Sequence, residues 1–135
     1  MKIVTQRDYL KGDCGIACIS TITQIDYTIV KSIFIEEKIF TENGPYHTIH
    51  SDIIKVLSKL GYTAKRKKFT RWDEVIGTSI VKINPSKDGL YWHWVVFYKK
   101  SVDSKGVILD PKPHFQEPIA HYRGRRGSGQ YLVLN

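Results

Sequence analysis

The apolar positions change period partway along the chain. From Cys14 to Leu60 they recur at helical spacing. Ile16, Ala17, Ile19 and Ile22 mark a buried helix over Cys14–Thr23, with Asp13 placed to cap it. Ile29, Val30, Ile33, Phe34 and Ile39 mark a second helix over Tyr27–Phe40, and Asn43-Gly44-Pro45 reads as a turn. Ile49, Ile53, Ile54, Val56, Leu57 and Leu60 form the clearest stripe, a helix over Thr48–Leu60 that Gly61 ends. Beyond Gly61 the pattern shortens to β-branched and aromatic runs. Strands are predicted over Tyr62–Phe69, Ser79–Ile83, Leu90–Lys99, Gly106–Leu109 and Tyr131–Leu134, with a helical turn over Arg71–Ile76. Helices first and an antiparallel sheet after is an α+β order. No repeat, low-complexity tract or linker interrupts it, so residues 1–135 are expected to form one domain.

Composition keeps that reading. Hydrophobic residues make up 41% and charged residues 25%, ordinary for a soluble globular protein. A chain of this size buries about two-thirds of its unfolded surface, enough for a real core. No apolar run approaches the roughly 20 residues of a membrane span. The segment Met1–Arg7 lacks a signal-peptide apolar core, so a cytoplasmic location without a membrane span is expected. The net charge of +8 is concentrated at Lys65-Arg66-Lys67-Lys68 with Arg71, and at Arg123, Arg125 and Arg126. Such clusters either attract acidic partners (acidic peptides, nucleic acid, anionic lipid) or form a solvated face. No base-reading motif and no phosphate-binding Gly-rich loop accompanies them.

Chemistry concentrates at a few positions. Cys14 and Cys18 are the two cysteines. Adjacent helical turns make a poor disulfide, and the spacing is not that of a structural zinc site, so no metal or cofactor is expected. Cys14 would start the first helix, where the dipole and free N–H groups favour a thiolate. Gly15 would leave room for a substrate backbone beside the sulfur. His93 would lie inside the central strand, on one face with Tyr91, Val95 and Phe97. Asp110 follows a β run and precedes Pro111, and a hairpin between the last two long runs would set it near His93. Gln6, upstream of Cys14, has an amide able to donate into an oxyanion hole beside the Cys14 N–H. Taken singly, each has a plain alternative: a buried thiol, a core histidine, a turn carboxylate and a solvated glutamine.

Together and in this order, Gln6, Asp13-Cys14-Gly15-Ile16-Ala17-Cys18, His93-Trp94-Val95-Val96 and Asp110-Pro111 resemble the bacteriocin-processing, double-glycine cysteine peptidases. These are papain-like domains, often fused to ABC exporters, that cleave leader peptides after Gly-Gly. The resemblance implies a papain-like α+β fold with the N-terminal helices packed on a C-terminal antiparallel sheet. It implies Cys14 as nucleophile, His93 as base, Asp110 as the residue that orients it, Gln6 as oxyanion donor and Cys18 as structural. The implied substrate is a peptide or protein, and an acidic leader peptide would suit the positive charge. An exporter would be the partner on this reading, and an immunity-type protein would point to a toxin instead. Gln6 stands eight residues before Cys14. Either Arg7–Gly12 bulges to bring Gln6 back, or Gln6 is not the oxyanion residue. Two other readings stand beside this one. The first is a papain-like toxin or effector acting on nucleic acid or another acidic partner, with His47, His50, His114 and His121 as acid–base groups. The second is a silent domain that only binds a leader peptide.

Overall fold

The computed structural model describes all 135 residues, Met1–Asn135. Three helices, α1 (Cys14–Thr23), α2 (Tyr27–Glu36) and α3 (His50–Lys59), precede five strands. The strands are β1 (Ala64–Lys68), β2 (Gly77–Ile83), β3 (His93–Lys99), β4 (Val107–Leu109) and β5 (Gln130–Leu134). They form one sheet in the order β1-β5-β2-β3-β4, every neighbouring pair antiparallel. This is the expected α+β, papain-like arrangement, helices first and sheet after.

The helix ends have local causes. The Asp26 side chain caps α2 by accepting from the Thr28 N–H. That helix stops at Glu36, short of the expected Phe40, because Lys38 turns left-handed at φ 60°. The expected start of α3 at Thr48 also shifts, to His50. There the Asp52 carboxylate accepts the Ile49 N–H at 2.9 Å and closes the N-terminus. Gly61, at φ 89°, ends α3, and the Tyr62 N–H returns to the Leu57 carbonyl.

Alternation along the strands splits the apolar residues into two layers. One face of the sheet carries Ile80, Trp94, Val96, Leu109 and Leu132, packed on the helices through residues such as Ile16, Phe34 and Leu57. The opposite face carries Val81, Ile83, Val95, Phe97 and Ile108, and no helix of the first half covers it. Loop aromatics do so instead: Trp72 lies 5.0 Å from the Phe97 ring and stacks on Tyr122 at 5.4 Å. Trp72–Glu74 is a 3-10 turn inside the expected segment Arg71–Ile76.

Two expectations about β3 need correction. The strand starts at His93, not Leu90. Its last rung pairs Ile83 with His93; beyond it Asn84 turns left-handed at φ 50° ahead of Pro85, so β2 offers no further partner. Leu90 and Tyr91 are therefore exposed loop residues. Nor is β3 the central strand: β2 holds the middle of the sheet, and β3 lies between it and the edge strand β4. His93 thus sits at a strand end beside the helix layer, a better place for chemistry than the middle of a sheet. The β3–β4 hairpin does form, with Val96 opposite Leu109, and the chain leaves the sheet at Asp110.

Gly15 does not provide space for a substrate. It is buried, and a Cβ there would lie 2.6 Å from Thr48 Oγ1 and 3.0 Å from Ile53 Cδ1. Its lack of a side chain lets α1 approach the start of α3. Thr48 cannot yield easily, because its Oγ1 and carbonyl both accept from the Trp94 indole N–H. Gly15→Ala is therefore expected to destabilise the protein by about 1–3 kcal/mol, the usual range for overpacking. A urea melt should show a lower midpoint at unchanged slope; a midpoint equal to the parent's would contradict this packing.

Candidate functional site

The site forms where the first turn of α1 meets the first residues of β3. The Trp94 N–H points at the Cys14 sulfur at 3.5 Å, and the Cys18 thiol donates to the Trp94 carbonyl at 3.4 Å. Both cysteines are free and buried. Their four-residue spacing puts them a turn apart, so the backbone of one β3 residue, Trp94, is held between two sulfurs through its N–H and its carbonyl. Cys18 is fully buried, and burial, followed by the nearby Cys14, Asp110 and Asp13, pushes its thiol well above the usual range. Cys18 is thereby a neutral packing group.

His93, next to Trp94, bonds Asp110 Oδ1 through Nε2 at 2.8 Å. Its ring lines the same hollow as Cys14. Burial is the largest influence on the imidazole and lowers its proton affinity. The Asp110 hydrogen bond and the neighbouring Cys14, with the charges of both, outweigh it, and His93 is raised from 6.5 to about 9. Asp110 is 2% exposed. Burial pushes its carboxyl up, but the His93 hydrogen bond and charge, the Lys112 N–H and the Arg125 cation together hold it below the usual carboxylate range. The hairpin thus brings Cys14, His93 and Asp110 together as the residue order suggested.

Arg125 was not legible as part of this site. Grouping it with Arg123 and Arg126 as one basic surface does not hold. Its side chain is 10% exposed, and its Nε donates to Asp110 Oδ2 at 3.2 Å. The guanidinium lies over the Phe115 ring at 4.8 Å. Nothing local separates it from the arginines beside it; only the pairing of its loop with Asn84 turns it inward.

Asp13 also departs from expectation. Its side chain makes no capping bond to α1. It is fully buried and turned back toward the preceding loop. Oδ1 accepts from Gln6 Nε2 at 2.9 Å; Oδ2 accepts from the Arg7 and Asp8 N–H groups and from the Tyr27 hydroxyl at 2.6 Å. Burial, then this bond, pushes the Tyr27 phenol up. Around this carboxylate the loop bulges, with a 3-10 turn at Tyr9–Lys11 and Gly12 left-handed at φ 77°. The Arg7–Gly12 loop is thus bulged rather than extended. It returns Gln6 to the site, where its backbone N–H bonds the Pro111 carbonyl at 2.7 Å, next to Asp110. The carboxylate also fixes the Gln6 amide with nitrogen toward Asp13, leaving one amide proton uncommitted and Oε1 buried without a partner.

Two hollows flank Cys14. One, of about 70 Å³, is walled by Thr48, Ile49, Trp92 and Trp94. The other, of about 320 Å³, is bounded by Gln6, Tyr9, Leu10, His93 and Lys112. Tyr9, Leu10, Ile49, Leu90 and Tyr91, all exposed, stand around them. His47 belongs here too. Its ring rests on Gly12, where a Cβ would approach it to 2.3 Å, and it meets the Tyr91 ring at 5.0 Å. The three remaining histidines stand elsewhere: His50 bonds the Gln130 carbonyl, and His114 and His121 line a hollow that Cys14 does not reach. No group of three or more His, Cys, Asp or Glu side chains is placed to hold a metal ion. No helix is long and apolar enough to cross a membrane.

No protein-family model matches the chain, and no curated protein does. A solved structure does: the peptidase domain of Streptococcus mutans ComA, at a TM-score of 0.64 and 20% sequence identity. The match covers 100% of this chain and 99% of that one. At this identity the likeness is one of fold, and from end to end the chain folds as that peptidase domain does.

Proposed function

We propose that this protein is a cysteine peptidase that removes a leader peptide after a Gly-Gly type site. The observation that carries the reading is Cys14 at the N-terminus of a helix, with His93 lining the same open groove and Asp110 buried behind the imidazole. The ComA likeness supports a peptidase fold for the whole chain, residues 1–135. The small hollow of about 70 Å³ between Trp92, Trp94 and Ile49 suits residues with little or no side chain next to the scissile bond. The exposed apolar residues around the groove suit a bound peptide.

In this mechanism His93 holds a proton and Cys14 is its thiolate partner. The sulfur attacks the scissile carbonyl carbon. A C–S bond forms, and the carbonyl π pair moves to oxygen. The Cys14 N–H and the uncommitted Gln6 amide proton stabilise that oxyanion. Collapse breaks the C–N bond as His93 gives its proton to the leaving amine. Water then attacks the thioester, with His93 accepting its proton; the C–S bond breaks, releasing the acid and restoring the pair. Asp110 keeps the ring aimed and stabilises its charge.

The nucleophile assignment predicts that iodoacetamide labels Cys14 far faster than Cys18 at neutral pH. Mass mapping after brief alkylation reads this directly, and equal labelling or preference for Cys18 would rule Cys14 out.

Loss of the base is expected to be more severe than loss of its support. His93→Ala should abolish turnover, whereas Asp110→Asn should slow it, since the nucleophile and ring remain. Activity should fall along an alkaline limb near pH 9, where His93 loses its proton. The same titration affects stability. Because His93 is raised from 6.5 to about 9 on folding, its contribution is fully present below about 6.5 and is lost as pH rises through about 9. Thermal melts across that window should decline for the parent and flatten for His93→Ala. If both variants merely lose stability while the remaining folded protein turns over normally, His93 and Asp110 are core residues only.

The exposed residues Lys65–Lys68 on edge strand β1 support recruitment of an acidic leader. Partner affinity should weaken as salt rises, because exposed charges are screened beyond roughly 8 Å at physiological ionic strength. An affinity flat across salt would remove this role. Cleavage of RNA with peptides ignored would overturn the peptidase reading itself.

A further inference from the structure

We infer that Arg125 is a positioning residue for the Cys14–His93 pair, acting through Asp110. The inference rests on the peptidase reading above and adds a residue to it.

The argument begins with how an aspartate is held. Its terminal torsion is broad, so a carboxylate fixed through one oxygen can still swing. Both the His93 ring and the Lys112 N–H bond Oδ1 of Asp110, at 2.8 and 3.0 Å. Only Arg125 holds Oδ2, through Nε at 3.2 Å. Arg125 thus supplies the second point that fixes the carboxylate plane, and with it the angle at which the imidazole faces the sulfur.

Arg125 is itself well anchored. Its N–H bonds the Tyr122 carbonyl, its carbonyl accepts the Trp72 indole N–H at 3.0 Å, and its guanidinium rests on Phe115. Trp72 and Tyr122 belong to the apolar layer on the helix-free face of the sheet. The site is therefore braced from both sides of the sheet: α1 sets the sulfur, and the loop-covered layer sets the carboxylate.

Charge gives the same residue a second reason to be there. A thiolate, an imidazolium and a carboxylate in one buried cluster leave a surplus negative charge. The Arg125 cation, its side chain only 10% exposed, cancels it. An uncompensated buried charge is costly, and a buried pair broken by removing one partner is strongly destabilising.

The test is the rate of Cys14 alkylation by iodoacetamide as a function of pH, which needs no substrate. Compared are the parent, Arg125→Gln, Arg125→Lys, Asp110→Asn and the double variant Arg125→Gln/Asp110→Asn. Arg125→Gln should slow Cys14 labelling at neutral pH by about 10-fold, as loss of an orienting partner commonly does. Arg125→Lys keeps the charge but not the planar geometry, and should recover only part of the rate. If Arg125 acts through Asp110, the double variant should be no slower than Asp110→Asn alone, whereas independent effects would multiply. Near-UV circular dichroism identifies folded samples; if Arg125→Gln does not fold, Arg125→Lys decides, and parental labelling there overturns the inference. Multiplying effects, or a parental rate in folded Arg125→Gln, also overturn it. A parent whose Cys14 is no more reactive than Cys18 would instead sink the peptidase reading, so the two failures are distinct.

Discussion

The backbone of one residue, Trp94, holds this molecule in register. The Trp94 N–H faces the Cys14 sulfur and the Trp94 carbonyl accepts from the Cys18 thiol, so α1 cannot slide along β3 without losing both contacts. A helix has a natural grip of this kind, because residues four apart lie one above the other on one face. The Trp94 ring continues the lock on the other side, through its indole N–H to Thr48. Gly15 permits it by letting α1 come close to Thr48 and Ile53. The neighbour of Trp94 is His93, and the sulfur facing the Trp94 N–H is Cys14. Packing that fixes the core register therefore also sets the placement of Cys14 against His93.

Two buried carboxylates flank this contact and are satisfied in different ways. Asp13 accepts from an amide, two backbone N–H groups and a phenol, all neutral donors. Its work is geometric: it folds the Arg7–Gly12 loop and returns Gln6 to the groove. Asp110 faces an imidazole and a guanidinium. Its work is electrostatic, holding a proton on His93 far above the ordinary range. A charge in a low-dielectric site interacts more strongly than the same charge in water, so the assignment of cations to Asp110 matters more than their number. The proposed peptidase reading rests on the open groove and the braced ring, on a fold shared with the ComA peptidase domain.

Much of this was legible before any coordinates. The helical stripes and β runs place the elements in order, because burying an apolar face requires the matching period whatever lies opposite. Cys14, His93 and Asp110 were legible as a set, since each residue type is scarce in the setting where it stands. The start of β3 was not legible: Leu90, Tyr91 and Trp92 have strand character, and only the departure of β2 at Asn84 and Pro85 ends the ladder at His93. The role of Gly15 was misread for a similar reason, because the atoms that crowd it come from Thr48 and Ile53, far along the chain.

The sequence by itself determined the secondary elements and the α+β order and singled out Cys14, His93 and Asp110 as the candidate set, because these follow from local periodicity and chemistry. The partners of the buried charges were decided only by the tertiary structure. Asp13 read as a helix cap became the centre of a loop, and Arg125 read as surface charge became the second hold on Asp110. Local sequence constrains which groups are polar. Which donor reaches which oxygen depends on residues brought together from distant segments, and on the cost of leaving any of them buried alone.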